Sequence, residues 1–228
     1  LVQCYEEGIF TEEQLNESVA HVLEAQHKTL SLPTDAELTE EESRNAELIN
    51  LKSIYAKTDD GVPVALDREG KHHFVVLTDM AYTGSPDVVT FKNKWHNPAA
   101  IAKKLKEYFP NSDVLTIKEF PSVGEDYTVI HRAVRYDDTV FITFTDSLGY
   151  VGRECLTSRV LGVIEALQVT NRVSTVVHFG NPFVLEQMEH VGRVIIGGLS
   201  AKSVDYAIDV LAGEEKAEGV LTYDINLK

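Results

Sequence analysis

The sequence predicts a doubly wound α/β fold: a mostly parallel sheet of about five to six strands, helices on both faces, and a helical arm in front. Three observations carry this. From Lys71 onward, short β-rich runs alternate with segments of helical period, the order that a parallel sheet covered on both faces requires. Asn97-Pro98 and Asn181-Pro182 each set a capping side chain before a proline suited to the first helical turn. Ahead of Lys71, two capping boxes open helices with no strand pattern between them.

The chain begins at Leu1 inside what looks like helical sequence, with no initiating Met, as expected of a fragment of a longer protein. Thr11-Glu-Glu-Gln14 caps a helix in which Leu15, Val19, Val22, Leu23 and Leu30 recur at helical spacing up to the Leu32-Pro33 stop. A linker over Pro33 to Leu38 follows. Thr39-Glu-Glu-Glu42 then opens a second helix, in which Ala46, Ile49 and Ile54 mark an expected buried face. Asp59-Asp60-Gly61-Val62-Pro63 reads as a turn into a short extended piece. The arm and linker therefore occupy residues 1–60 and the α/β domain residues 61–228.

Within that domain the expected strands are His73 to Thr78, Asp113 to Lys118, Thr139 to Thr145, Val173 to Phe179 and Gly192 to Ile196. The expected helices are Pro98 to Tyr108, Glu125 to Tyr136, Glu154 to Val169, Pro182 to Glu189 and Ala201 to Leu211. No internal repeat or low-complexity tract interrupts the pattern.

Composition narrows the function classes. With 43% hydrophobic and 25% charged residues, the 228-residue chain is an ordinary globular sequence, and no apolar run reaches the ~20 residues of a membrane span. The net charge of -15 is concentrated at the front: residues 1–60 carry 14 Asp/Glu against 4 Lys/Arg, and the remainder 22 against 17. An acidic chain without a basic stripe is a poor fit to nucleic acid, which is held through clustered Lys and Arg. The acidic face of the arm reads first as solvated surface. Cys4 and Cys155 lie far apart without metal spacing, read as free thiols, and favour a reducing, cytoplasmic compartment over an oxidising one. The histidines form no HExxH or ligand cluster, and His72 and His73 are adjacent, so they point to opposite faces of a strand. Neither a metal nor a cofactor is expected.

The candidate binding residues follow from where strands end. In parallel sheets, ligands bind in the crevice at the carboxyl ends of the strands. "VVLTDM" and "ITFTDS" deliver Asp79 and Asp146 to that edge. Neighbouring strands would allow the two carboxylates to do acid and base work or to bind sugar hydroxyls; otherwise each accepts backbone amides in its turn. "TDSLGYVGRE" adds Ser147, Arg153 and Glu154, without the GxSxG setting of a nucleophilic serine. A first-turn Glu154 also suits a helix dipole without any ligand. In "VVHFGNPFVLEQ" the Gly180-Asn181-Pro182 triplet is accounted for by bend and cap, whereas His178 either touches a ligand or is a hydrogen-bonded histidine at the rim of the core. "VIIGGLSAKS" offers glycines before a helix but has neither nucleotide-loop spacing, and Ser200 reads as its cap.

The order of segments resembles the C-terminal α/β domain of family 3 glycoside hydrolases, in particular the β-N-acetylglucosaminidase branch. "GIFTEEQLNESVAHVLEAQHKTLSL" is similar to the helix leaving that family's catalytic barrel, and "LKSIYAKTDDGVPV" to the segment entering the second domain. "VSTVVHFGNPFVLEQMEHVGRVIIGG" and "AIDVLAGEEKAEGVLTYDI" are similar to the penultimate strand-turn-helix and to the closing Leu-Ala-Gly helix end. The resemblance spans nearly the whole chain.

That resemblance implies an N-terminal (β/α)8 barrel in the same protein, carrying an aspartate nucleophile and a His-Asp acid/base element. Glucosidase-like members instead take an acid/base Glu from this second domain, near an acidic-Arg motif. "DSLGYVGRE" lacks the Asp-Arg pair, which removes the expectation of catalysis from Glu154 and fits the branch whose chemistry stays on the barrel. The expected role is that of the second domain of a bacterial β-N-acetylhexosaminidase-like enzyme. It would be non-catalytic, cover the barrel mouth and touch carbohydrate through Asp79, Asp146, Ser147, Arg153, Glu154 and His178. Partners would be the barrel and the substrate, with neither nucleic acid nor membrane. Two alternatives stay open at this point: a free-standing carbohydrate-binding or interaction domain, and a small α/β hydrolase with its own site.

Overall fold

The structure is a computed structural model that describes residues 2–30, 38–78, 97–118, 120–145, 156–188, 191–222 and 225. Among the described residues, six strands form one sheet in the order β1-β6-β5-β4-β2-β3. They are β1 (Tyr55–Thr58), β2 (His72–Thr78), β3 (Asp113–Lys118), β4 (Asp138–Thr145), β5 (Val173–Gly180) and β6 (Arg193–Gly197). Strands β2 to β6 run parallel, and β1 closes one edge antiparallel to β6. The five predicted strands are all present. The short β1 is an addition, its four residues YAKT carrying little apolar pattern of their own.

The helices are α1 (Val2–Glu6), α2 (Glu12–Leu30), α3 (Glu40–Lys52), α4 (Pro98–Tyr108), α5 (Val123–Ala133), α6 (Ser158–Gln168) and α7 (Ala201–Leu211). Each start in the α/β part has a local cause. Asn97 accepts the Ala99 amide (3.0 Å), Ser122 and Glu125 form a reciprocal capping box, and Thr157 and Ser200 cap α6 and α7. The Ser122 box starts α5 two residues before the predicted Glu125. The stretch after Asn181-Pro182 is a 3₁₀ helix over Pro182–Gln187 instead of an α-helix; so short a segment gains little from α nucleation and closes i→i+3 bonds.

The core is two apolar layers, one on each side of the sheet. Alternate strand residues supply them: Phe74, Val76, Ile142, Val177 and Ile195 meet α4 and α7, whereas Val75, Phe141, Val176 and Val194 meet α5, α6 and the 3₁₀ turn. The period of two along each strand dictates this split. His72 and His73 obey it: His72 sits edge-on to Phe109 after α4, and His73 stacks on Tyr136 after α5.

The chain divides into two compact units, Leu1–Ser43 and Arg44–Lys228. In the first, α2 forms as expected, with Thr11 and Gln14 closing its capping box, and Leu15, Val19, Val22 and Leu23 are solvent-exposed. The expected buried face of α3 is corrected: α3 has no buried residue, Ile49 is exposed, and only Ile54, beyond the helix end, enters the core. Helical period marks an apolar face but does not supply what covers it. Among the described residues no helix is long and apolar enough to cross a membrane.

Candidate functional site at the carboxyl edge of the sheet

From β2 the chain crosses to β3 on one side, then returns to lay β4 on the other side of β2. The strand order therefore reverses between β2 and β4, which makes the carboxyl edge of these two neighbours the topological switch point, where open α/β sheets bind ligands. β2 and β4 are paired in register, Val76 opposite Ile142, and they end at Thr78 and Thr145. Asp79 and Asp146 follow those two residues directly in the chain. Asp79, Asp146, Ser147, Arg153 and Glu154 all lie outside the described residues, as does Cys155.

His178 is described, and it is fully buried. It stands opposite Thr143 in the β4–β5 register and accepts that hydroxyl on Nδ1 at 2.7 Å. Nε2 lies 2.9 Å from the Asn181 carbonyl and 3.1 Å from Thr145 Oγ1. A carbonyl oxygen only accepts, so Nε2 carries the proton and Nδ1 is the acceptor, which defines one neutral tautomer. Burial pushes the ring down to about 4, against the pull of the Asn181 carbonyl, so it is uncharged at neutral pH. Thr145 Oγ1 also accepts the Asn181 amide at 3.0 Å. The ring thus ties the end of β4 to the turn that leaves β5, one residue before Asp146.

Gly180 completes the junction. Its φ of +109° lies in the region that side chains avoid, and a Cβ there would overlap the Thr145 carbonyl oxygen. Beside it a shallow cleft of about 230 Å³ opens at the same edge, lined by Tyr55, Gly180, Ile196, Gly197, Gly198 and Leu221 among others. Sequence reasoning passed over Thr143 and Thr145 as partners of His178. The available signal was their i, i+2 spacing in an apolar strand, which puts both hydroxyls on one face.

The amino edge of the sheet carries a second polar group. His72 Nδ1 pairs with Asp138 Oδ1 at 2.6 Å, its Nε2 donates to the Asp67 carbonyl at 2.7 Å, and the Ser174 hydroxyl donates to the other Asp138 oxygen. Burial opposes charge on both groups, but these bonds outweigh it, so His72 is raised above its usual range and Asp138 held below its own. The surroundings thus favour the charged form of this largely buried pair. His73, by contrast, is buried with no hydrogen bond to either ring nitrogen, and burial pushes it down to about 4. Both histidines sit at the start of β2, at the opposite end of the sheet from the switch point.

Neither the family models nor the curated proteins contain a match to this sequence. Solved structures do resemble it. A family 3 glycoside hydrolase, a β-N-acetylglucosaminidase from Paenibacillus sp., aligns with 100% of this chain at a TM-score of 0.66 and 19% identity; the chain covers 42% of that protein. A β-glucoside phosphorylase aligns over 96% at 0.60 and 17%, with 40% of its own length covered. A β-glucosidase from Listeria innocua aligns over 94% at 0.54 and 16%, with 33% covered. The fold is that of the C-terminal α/β domain of family 3 glycoside hydrolases, and the chain spans less than half the length of each of these proteins.

Proposed function

We propose that this chain is the second domain of a family 3 glycoside hydrolase of the β-N-acetylhexosaminidase type. In this reading the bond-breaking groups belong to a (β/α)8 barrel of the same protein, and this domain meets the carbohydrate without cleaving it. The observation that carries the reading is the switch point between β2 and β4, because the two strands that lead to Asp79 and Asp146 are neighbours. The resemblance of segment order and the likeness in fold to family 3 enzymes support the same conclusion.

Asp79 and Asp146 would bind sugar hydroxyls from adjacent strand ends, with Ser147, Arg153 and Glu154 as further contacts on the loop after β4. His178 is a positioning residue in this scheme: its ring holds Thr145, so it acts on substrate through the loop that Asp146 begins. The two carboxylates that a retaining glycosidase sets across its sugar are not assigned to this chain.

Hydrolysis of aryl N-acetylglucosaminides and aryl glucosides by the 228-residue chain tests this directly. No turnover is expected from it, and the gene is expected to encode the barrel upstream. In the barrel-bearing protein, Asp146→Asn should raise KM more than it lowers kcat. Turnover by the chain alone that disappears in Asp146→Ala would place the chemistry here and overturn the reading.

A further inference from the structure

The turn ahead of β2, over residues 66–70, is pinned to the sheet by the His72 ring. Nε2 lies 2.7 Å from the Asp67 carbonyl, and Nδ1 lies 2.6 Å from Asp138 Oδ1. Both partners are acceptors, so each contact needs a proton between its two atoms, whereas a neutral imidazole beside a carboxylate supplies only one. The ring and the turn are in close contact: a Cβ on Gly70 would stand 2.7 Å from Nε2. The same turn clasps two other elements. Arg68 donates through Nε and Nη2 to the Ala212 carbonyl just past α7 (2.8 and 2.7 Å), and the Leu66 amide donates to the Leu211 carbonyl (2.9 Å). Asn111, after α4, donates to the Glu69 carbonyl at 3.1 Å.

We infer that His72 is a proton-operated latch: its second proton holds the turn over residues 66–70 against β2, and loss of that proton frees the turn and the end of α7 that it clasps.

The hydrogen bonds fix which side lets go. A bond to a carboxylate is stronger than one to a carbonyl, so the proton that remains stays on Nδ1, and Nε2 then turns a lone pair on the Asp67 carbonyl. Asp138 is also held from behind. Arg193 can only donate and gives Nη1 to Thr175 Oγ1 at 2.6 Å; the Thr175 hydroxyl therefore donates to Ser174 Oγ at 3.1 Å, and Ser174 to the second Asp138 oxygen. This one-way chain ends on the carboxylate and favours its ionised form. Asp138 keeps the ring, and the turn is the moving part.

The charges around the ring set the direction of the response. Burial opposes the second proton, but Asp138 on β4, the Asp67 carbonyl and Asp137 ahead of β4 outweigh it and raise His72 above its ordinary 6.5. Arg193 on β6 acts on Asp138, Lys106 of α4 is engaged with the Ser112 carbonyl, and the Asp67 carboxylate accepts the Glu69 amide at 3.1 Å. Phe74 and Phe109, which meet the ring edge-on, bring no charge. The latch is therefore closed below 6.5 and opens as the pH rises through the raised value.

Amide hydrogen exchange of the 228-residue chain, resolved by NMR and divided by the intrinsic rate at each pH, follows the latch. From about pH 6 upward through the titration of the His72 ring, protection of Leu66 and Gly70 should fall about tenfold or more, with the midpoint of the ring itself, while protection in the middle of β4 stays constant. At about pH 6 both ring nitrogens should carry protons. Asp138→Asn should lower the two midpoints together, by removing the carboxylate that favours the second proton. Constant protection of Leu66 and Gly70 while the ring titrates overturns the inference, as does a ring with one protonated nitrogen at about pH 6. So does a fall in protection whose midpoint stays in place when Asp138→Asn moves that of the ring; the wild-type comparison decides alone where the variant does not fold.

Discussion

Replacing His178 with leucine tests whether this ring is a neutral structural tie at the candidate site. The substitution keeps an apolar side chain of comparable bulk between the same buried neighbours and removes all three hydrogen bonds of the ring. Thr143 retains the Val177 carbonyl at 3.5 Å and Thr145 retains the Asn181 amide, but the Asn181 carbonyl loses its donor at 2.9 Å and Thr143 its acceptor at 2.7 Å. With about 1–3 kcal/mol per poorly satisfied buried group, the variant should be less stable by about 3 kcal/mol at pH 7.

The pH dependence is the sharper part of the test. In the folded chain the ring is held down to about 4, against an ordinary value of 6.5. The unfolded state therefore binds more protons between those values, and the stability conferred by the neutral ring is present above 6.5 and lost as the pH falls below it. One proton of difference is worth about 1.4 kcal/mol per pH unit, so from pH 6.5 to 5 the wild type loses about 2 kcal/mol that the leucine variant cannot lose. Urea unfolding at pH 7, 6 and 5, followed by circular dichroism, should show the gap in stability narrowing from about 3 to about 1 kcal/mol with a constant m-value. His73 is equally depressed but present in both proteins, so its contribution cancels. A gap of the same size at all three values would refute a buried neutral His178.

Gly180→Ala should destabilise by more than about 3 kcal/mol or prevent folding, since the new methyl meets the Thr145 carbonyl at a backbone angle that disfavours side chains; soluble yield and Tm read the outcome. Asp138→Asn should cost about 3 kcal/mol by breaking the buried pair with His72. Because Asp138 is lowered from 3.8 and His72 raised from 6.5, the benefit of the pair is fully present between those values. The penalty of the variant should be greatest near pH 5, shrinking as acid protonates Asp138 and as rising pH removes the proton of His72. Denaturant midpoints across that range provide the check.

The two polar groups of the sheet lie at opposite ends of the same strands. His72 and Asp138 join the starts of β2 and β4, whereas Thr143, Thr145 and His178 join the ends of β4 and β5. The surroundings favour charge on the amino-edge pair, whereas they keep the ring of the carboxyl-edge cluster neutral.

Elements whose cause lies within a few residues were legible in the amino-acid order. Helices Pro98–Tyr108 and Ala201–Leu211 and strand Asp113–Lys118 have their predicted bounds, because Asn97, Ser200 and the apolar run over the strand act locally. Period two also placed His72 and His73 on opposite faces. What depended on distant partners was not legible. That β2 lies beside β4, that β1 pairs antiparallel with β6, and that His178 finds Thr143 thirty-five positions away are outcomes of sheet order, which no local window contains. The helical spacing of Leu15, Val19, Val22 and Leu23 in α2 and of Ile49 in α3 reads as that of a covered face, yet these residues are exposed. Sequence periodicity fixes which way a side chain points along its own element; only the assembled sheet decides whether another surface stands there to exclude water.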